Sequence, residues 1–228
     1  MYLNNWKRLA LDFLSIFIAV ISAFALNNWN ENRRDSEAAS KILAEISNGL
    51  EKDLEDITIN MFGHKAGIRS CQYWRDIFNG EIRPTDSLGM HYSTITRDFI
   101  SIQNVSGYES LKSKGLELIE DDSLRFEIIA LYEYDYQVLK KFEEEYHEMQ
   151  FQENFFDVLN QHIAPHLEYD QKGNIVQLKV PFRLPEGEKK LLMSYLWKIQ
   201  MNRSFILQYY GMTEEKVKQL RQRIQQAI

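Results

Sequence analysis

Five histidines and one cysteine are the scarce chemical groups of this 228-residue chain, and their spacing is the first test for chemistry. Glu144-Glu145-Tyr146-His147 holds one Glu-x-x-His, which on a helix puts a carboxylate and an imidazole on the same face. Helical bundles that carry two irons need two such pairs and two further carboxylates. No second pair exists here, and the acid-rich stretch from Glu143 to Glu148 reads as a solvated face. His162 and His166 stand four apart, but Pro165 disrupts the helix that would align them, so they read as helix-end groups. Cys71 lies among Arg69, Gln72 and Trp74 with no histidine nearby in sequence, the setting of a partly buried structural thiol. As the only cysteine it also excludes an internal disulfide and a cysteine-rich zinc site. There is no Gly-x-Ser-x-Gly, no phosphate-binding loop, no dinucleotide fingerprint and no His-Glu-x-x-His. No catalytic residue, cofactor site or metal site is assigned, and no enzymatic activity is expected.

The elements that would position such groups are helices. Leu43, Ile46, Leu50, Leu54, Ile57 and Met61 follow steps of three and four, one apolar stripe of a helix expected to run to Gly63. A second helix is expected from His64 to Phe78, closed by the Asn79-Gly80 turn signal. A loop follows over residues 81–90, then a helix through Thr94 to Ile102. Ser106 with Glu109 forms a capping-box pattern, and Gly115 closes the short helix it opens. Asp121 and Asp122 sit where a helix N-terminus favours acids, and nothing in the sequence breaks the pattern from Ser123 to about Ile163. A helix of that length would span about 60 Å, the spine of a bundle. Residues 167–180 alternate around a Gly-Asn turn and predict one small hairpin. A further helix ends at Gly211, with Thr213 capping the last one.

Tyr132, Tyr134, Tyr136, Tyr146, Phe151, Phe155 and Phe156 cover more than one face of the expected long helix. A thick bundle core explains most of them, and a protein-contact surface is the alternative. Lys216, Lys218, Arg221 and Arg223 read as a solvated helix face. The formal net charge of −6, with acids and bases interspersed, gives no basic stripe for nucleic acid.

The N-terminal stretch "LALDFLSIFIAVISAFALNNWNENRR" dominates the functional reading. Eighteen residues between Arg8 and Asn27 carry a single charge, Asp12. As a helix they cover about 27 Å, close to the hydrocarbon thickness of a bilayer. Trp6, Lys7 and Arg8 on one side and Trp29, Arg33 and Arg34 on the other are the residue types that anchor a span at its interfaces. A spanning helix over residues 9–28 is therefore favoured over two rivals. A cleaved signal peptide would use Ala23-Phe24-Ala25, but an acid within its apolar core is unfavourable and no Gly or Pro ends the helix before the cut. A buried soluble helix would need a large core to cover apolar residues all round it. Within the span Asp12, Ser15, Ala19, Ser22 and Ala23 share one face, and small residues at that spacing let another helix approach closely. Asp12 has a plainer role too, an i,i+4 pair with Arg8 at the head-group level. Cations flank the span almost equally, and an orientation with the N-terminus inside and the large domain outside is preferred.

These residues resemble an uncharacterised family of small single-pass membrane proteins of Bacteroidota. The family begins with a basic tail and an acid-led apolar helix that ends in Asn-Asn-Trp-Asn-Glu, here Asn27, Asn28, Trp29, Asn30 and Glu31. The stretch from Gly107 to Asp135 is similar to its second recurring block. Asp12 stands where the family more often has Glu, Ala19 where it usually has Gly, and the basic tail is shorter. The resemblance implies a membrane anchor with a helical domain and no established activity.

The resulting expectation is an all-α chain: a short tail (1–8), a transmembrane helix (9–28), an amphipathic connecting helix (29–62) and a helical bundle (63–228) with one long helix and a small hairpin. It would sit in a bacterial inner membrane with the bundle in the periplasm. Its partners would be lipid and either its own copies or another membrane protein. The alternative is a sensor that binds a small ligand outside the membrane and signals through a partner's transmembrane helix.

Overall fold

The computed structural model describes residues 3–179 and 182–228, without the side chains of residues 3–5, 7 and 8. The described chain is built around two long helices. The first, α1, runs unbroken from Leu3 to Phe78, 76 residues or about 114 Å. The second, α7, runs from Glu186 to Ala227 and packs along the C-terminal half of α1. They are antiparallel: Arg75 meets Gln200 near one end, and Arg221 meets Glu51 towards the other.

Both helices pack through seams with steps of three and four. In α1 the inward positions are Leu43, Ile46, Leu50, Asp53, Ile57, Asn60, His64, Gly67, Cys71, Trp74 and Phe78. In α7 they are Leu192, Leu196, Ile199, Arg203, Ile206, Tyr210, Thr213, Val217, Leu220 and Ile224. This is the 3.5-residue period that keeps one seam facing a partner helix. It explains why Gly63 and Gly211 do not end helices as expected: the seam continues in register across each. Gly63 instead makes room for Phe99, whose ring would lie 2.3 Å from an added Cβ. Thr213 is a buried seam residue, not a cap.

The shorter elements wrap this pair. They are α2 (Leu88–Thr94), α3 (Ser106–Lys114), α4 (Asp122–Ala130), α5 (Tyr136–Glu144) and α6 (Phe151–Ile163). A hairpin, β1 (Leu167–Tyr169) and β2 (Ile175–Leu178), completes the fold, pairing antiparallel around a turn with Gly173 at φ +84°. Gly115 ends α3 at φ +108°, and the Asp121 carboxylate accepts from the Ser123 and Leu124 amides to open α4. The all-α class and the hairpin are as expected.

Two further expected helices differ. The stretch from Ser123 to Ile163 is divided: a wider turn over Leu131–Asp135 joins α4 to α5, and the helix then breaks before α6. Tertiary contacts hold the break open. Asn202 donates to the Glu148 carbonyl (2.6 Å), Gln150 to the Glu143 carbonyl (2.7 Å), and Asp98 accepts the Phe151 amide (2.7 Å). The clustered acids of 143–148 add like-charge repulsion that a continuous helix would concentrate. Residues 97–105 form an irregular strap instead of the helix expected over Thr94–Ile102.

Candidate functional site

The strap has no ladder of its own, so its backbone groups must find other partners. They find charged side chains projecting from the seam and from α5. Asp53 accepts the Asn104 amide (2.7 Å), Asp56 the Ile102 amide (3.0 Å) and Glu143 the Ser101 amide (3.1 Å) and hydroxyl (2.9 Å). At the other end Arg203, fully buried, donates to the carbonyls of Arg97 (2.8 Å), Ile95 (3.1 Å) and Thr94 (3.4 Å). These carbonyls follow the end of α2, where a cation is favoured. The Phe151 ring lies 4.2 Å from the guanidinium carbon and Phe99 lies 5.6 Å away, so two aromatic faces share the burial of this charge. Gly67 is required here: an added Cβ would stand 2.4 Å from Arg203 Nε.

Burial shifts the titratable groups around this seam towards their neutral forms. Arg203 Nη1 donates to His64 Nδ1 (3.2 Å), which places the imidazole proton on Nε2. Burial, helped by the neighbouring Arg203 charge, holds His64 down at about 3. Burial pushes Glu143 up to about 7, against the donors Tyr210 and Ser101 that favour its charged form. Asp53 is also raised by burial, against its bonds from Tyr136 (2.6 Å) and Asn104. The Cys71 thiol is fully buried and pushed up to about 11. A void of about 10 Å³ between His64, Glu143 and Phe151 is too small for a substrate. Asp53, Glu143 and Arg203 are the groups among these that fasten the strap.

The histidine candidates stay apart. Glu144 ends α5 and His147 lies in the following turn, so the break removes the shared helical face. His162 Nδ1 contacts the Val158 carbonyl, whereas His166 packs edge-on against Phe182. No cluster of metal-ligating side chains occurs among the described residues.

The segment read as a span is wholly exposed. α1 contains a stretch long and apolar enough to cross a membrane, none of it buried against the rest of the chain. Asp12, Ser15, Ala19, Ser22 and Ala23 are all exposed, and the Ser15 hydroxyl donates to the Asp12 carbonyl (2.8 Å). Trp6 and Trp29 are exposed, Arg33 pairs with Glu37 (3.0 Å), and Arg34 is open to solvent. The side chains of Lys7 and Arg8, and with them the Arg8–Asp12 pair, lie outside the described residues.

A second apolar surface lies on α7. Trp197, Met201, Phe205 and Met212 are exposed on one side of the helix. Phe205 and Tyr209 close over Phe142 of α5, at centroid distances of 5.3 and 4.6 Å, and Phe142 meets half-exposed Tyr146. Trp197, Met201 and Phe205 follow steps of four in the sequence, a weaker signal than the aromatic crowding of residues 132–156. Of that group Tyr132, Tyr136, Phe151 and Phe155 are core, and Tyr134 is exposed. The expected solvated face at the C-terminus holds for Lys218, paired with Glu214 on its own helix. Arg221, Arg223 and Lys216 instead fasten α7, to Glu51, to Asp121 and Glu127, and to Asp135.

Comparison with protein-family models, with curated proteins and with solved structures finds no match to this chain.

Proposed function

We propose that this protein is a single-pass membrane protein whose helical domain binds another protein, its own copies included. The observation that carries the proposal is that the chain leaves two large apolar surfaces uncovered, the N-terminal part of α1 and the α7 face. A bilayer covers the apolar side chains of the first with its helix backbone already hydrogen-bonded, and Asp12 is the one charge it would have to accommodate. The second has the Trp, Met and Phe content enriched at binding hot spots. Residues 29–37 carry α1 about 14 Å beyond the span before its side chains begin to be covered by the domain, which sets the domain off the bilayer surface. The resemblance to the Bacteroidota family supports a single-pass anchor carrying a helical domain, and the preferred orientation, with the N-terminus inside, puts that domain in the periplasm of a bacterial inner membrane. The face of Asp12, Ser15, Ala19, Ser22 and Ala23 would pack against a second span.

The test is detergent extraction of the full-length tagged chain, with partners read on the same sample. The wild type should bring down a stable partner or its own copies. Trp197→Glu with Phe205→Glu, both on exposed side chains, should lose that partner without losing the fold. Retention of the partner by the double variant would remove the α7 face from the proposal.

A further inference from the structure

The C-terminal end of α1, farthest from the apolar segment, holds a cavity of about 800 Å³, within the range of small-molecule sites. Its floor is apolar: Tyr73 and Ile77 of α1, Leu178 of β2 and Phe182 beyond it. Each is 7 % exposed or less, so each is already fixed by packing on its far side. Tyr73 stacks on His91 (4.1 Å) and donates to the Pro84 carbonyl (2.9 Å), which holds the 81–85 loop as a wall. Phe182 stacks on Phe78 (5.6 Å).

The rim is polar and cationic. Arg83 is neutralised by Asp76, to which it donates, and by Glu81 (3.3 Å). Arg183 is exposed at the cavity, and among the described residues no carboxylate lies within 4.0 Å of its guanidinium. Gln177 adds a neutral donor and acceptor. Ile82, 84 % exposed, stands at the same cavity, where an apolar occupant would cover it.

We propose that this cavity binds a small monoanion with an aryl or branched aliphatic body, the body on the floor and the anionic group on Arg183. A planar carboxylate suits the guanidinium fork, and its charge would be the counterion that Arg83 already has and Arg183 lacks. This goes beyond the protein-interaction role and does not rest on it.

The test is calorimetric titration of the full chain in lipid nanodiscs with 4-phenylbutanoate and, separately, its uncharged amide, with empty nanodiscs subtracted. Saturable one-site binding of the carboxylate, at least tenfold tighter than the amide, is expected. Arg183→Gln should bring the carboxylate to the level of the amide and leave the amide unchanged. Gln177→Trp and Ile82→Trp, each on an exposed side chain, should abolish both while the melting temperature stays that of the wild type. No saturable heat, equal binding of acid and amide, or indifference to Arg183→Gln would each overturn the proposal.

Discussion

Gly67→Ala and Gly211→Ala make the same chemical change in the interiors of two long helices, and the packing predicts opposite signs. On helix propensity alone each should stabilise by about 1 kcal/mol. At Gly211 nothing lies within 4 Å of the added Cβ, so that gain should appear in full. At Gly67 the Cβ would lie 2.4 Å from Nε and 2.5 Å from Cζ of Arg203, and the guanidinium must retreat by about 1 Å to reach ordinary contact. A side chain with no exposure cannot retreat into water, and its three carbonyl bonds at 2.8 to 3.4 Å stretch together. Bonds to a charged donor contribute about 1.5–3 kcal/mol each. Losing the better part of two, less the propensity gain, leaves a net destabilisation of about 2–4 kcal/mol. Urea unfolding in mild detergent, followed by the fluorescence of fully buried Trp74, reads both variants. A Gly67→Ala protein as stable as the wild type would refute the role given to Arg203 in fastening the strap.

Other outcomes follow from the same seam. Glu143, raised to about 7, stabilises the fold fully below its unfolded value near 4.5 and loses that contribution as pH climbs to 7. His64, lowered to about 3, does the reverse: its contribution is full above 6.5 and is lost as pH falls towards 3. Each slope is about 1.4 kcal/mol per pH unit, so between pH 4.5 and 6.5 the two oppose and nearly cancel. Glu143→Gln should therefore lose roughly 2–3 kcal/mol of stability on going from pH 6.5 to 4.5, and His64→Gln should gain over the same interval. Denaturant midpoints across that range check both, and a flat profile in either variant would contradict the assignment. Cys71 should resist a thiol reagent at pH 8 in the folded chain and react fully once unfolded; rapid native labelling would mean the α1–α7 seam opens there.

Much of the fold is legible in the residues, and the failures have physical causes. The stripe Leu43, Ile46, Leu50 and Ile57 lies on the buried face of α1, Leu54 and Met61 flank a seam that passes through Asp53 and Asn60, and Gly63 has the usual signature of a helix breaker without breaking the helix. The period continues past it through His64, Gly67, Cys71 and Trp74, and a true break would have reset it. The same holds at Gly211, with Tyr210, Thr213 and Val217 in step across it. Asp53 and Arg203 are polar residues within the seam, and the strap that they hold has no periodicity of its own. The strap itself was unreadable for that reason: its shape comes from side chains far off in sequence. The hairpin was legible because its signal is local, a glycine turn between short alternating runs. The distal cavity was not, since its walls come from α1, the loop after it and the segment after β2.

The central claim concerns the N-terminal part of α1, and alkaline carbonate extraction of the full-length chain tests it most directly, with the mass of the recovered protein read on the same sample. A chain of 27.1 kDa that stays with the membrane pellet and is released by detergent is the predicted result. Release into the carbonate supernatant, or a mature chain beginning at Leu26, would contradict it.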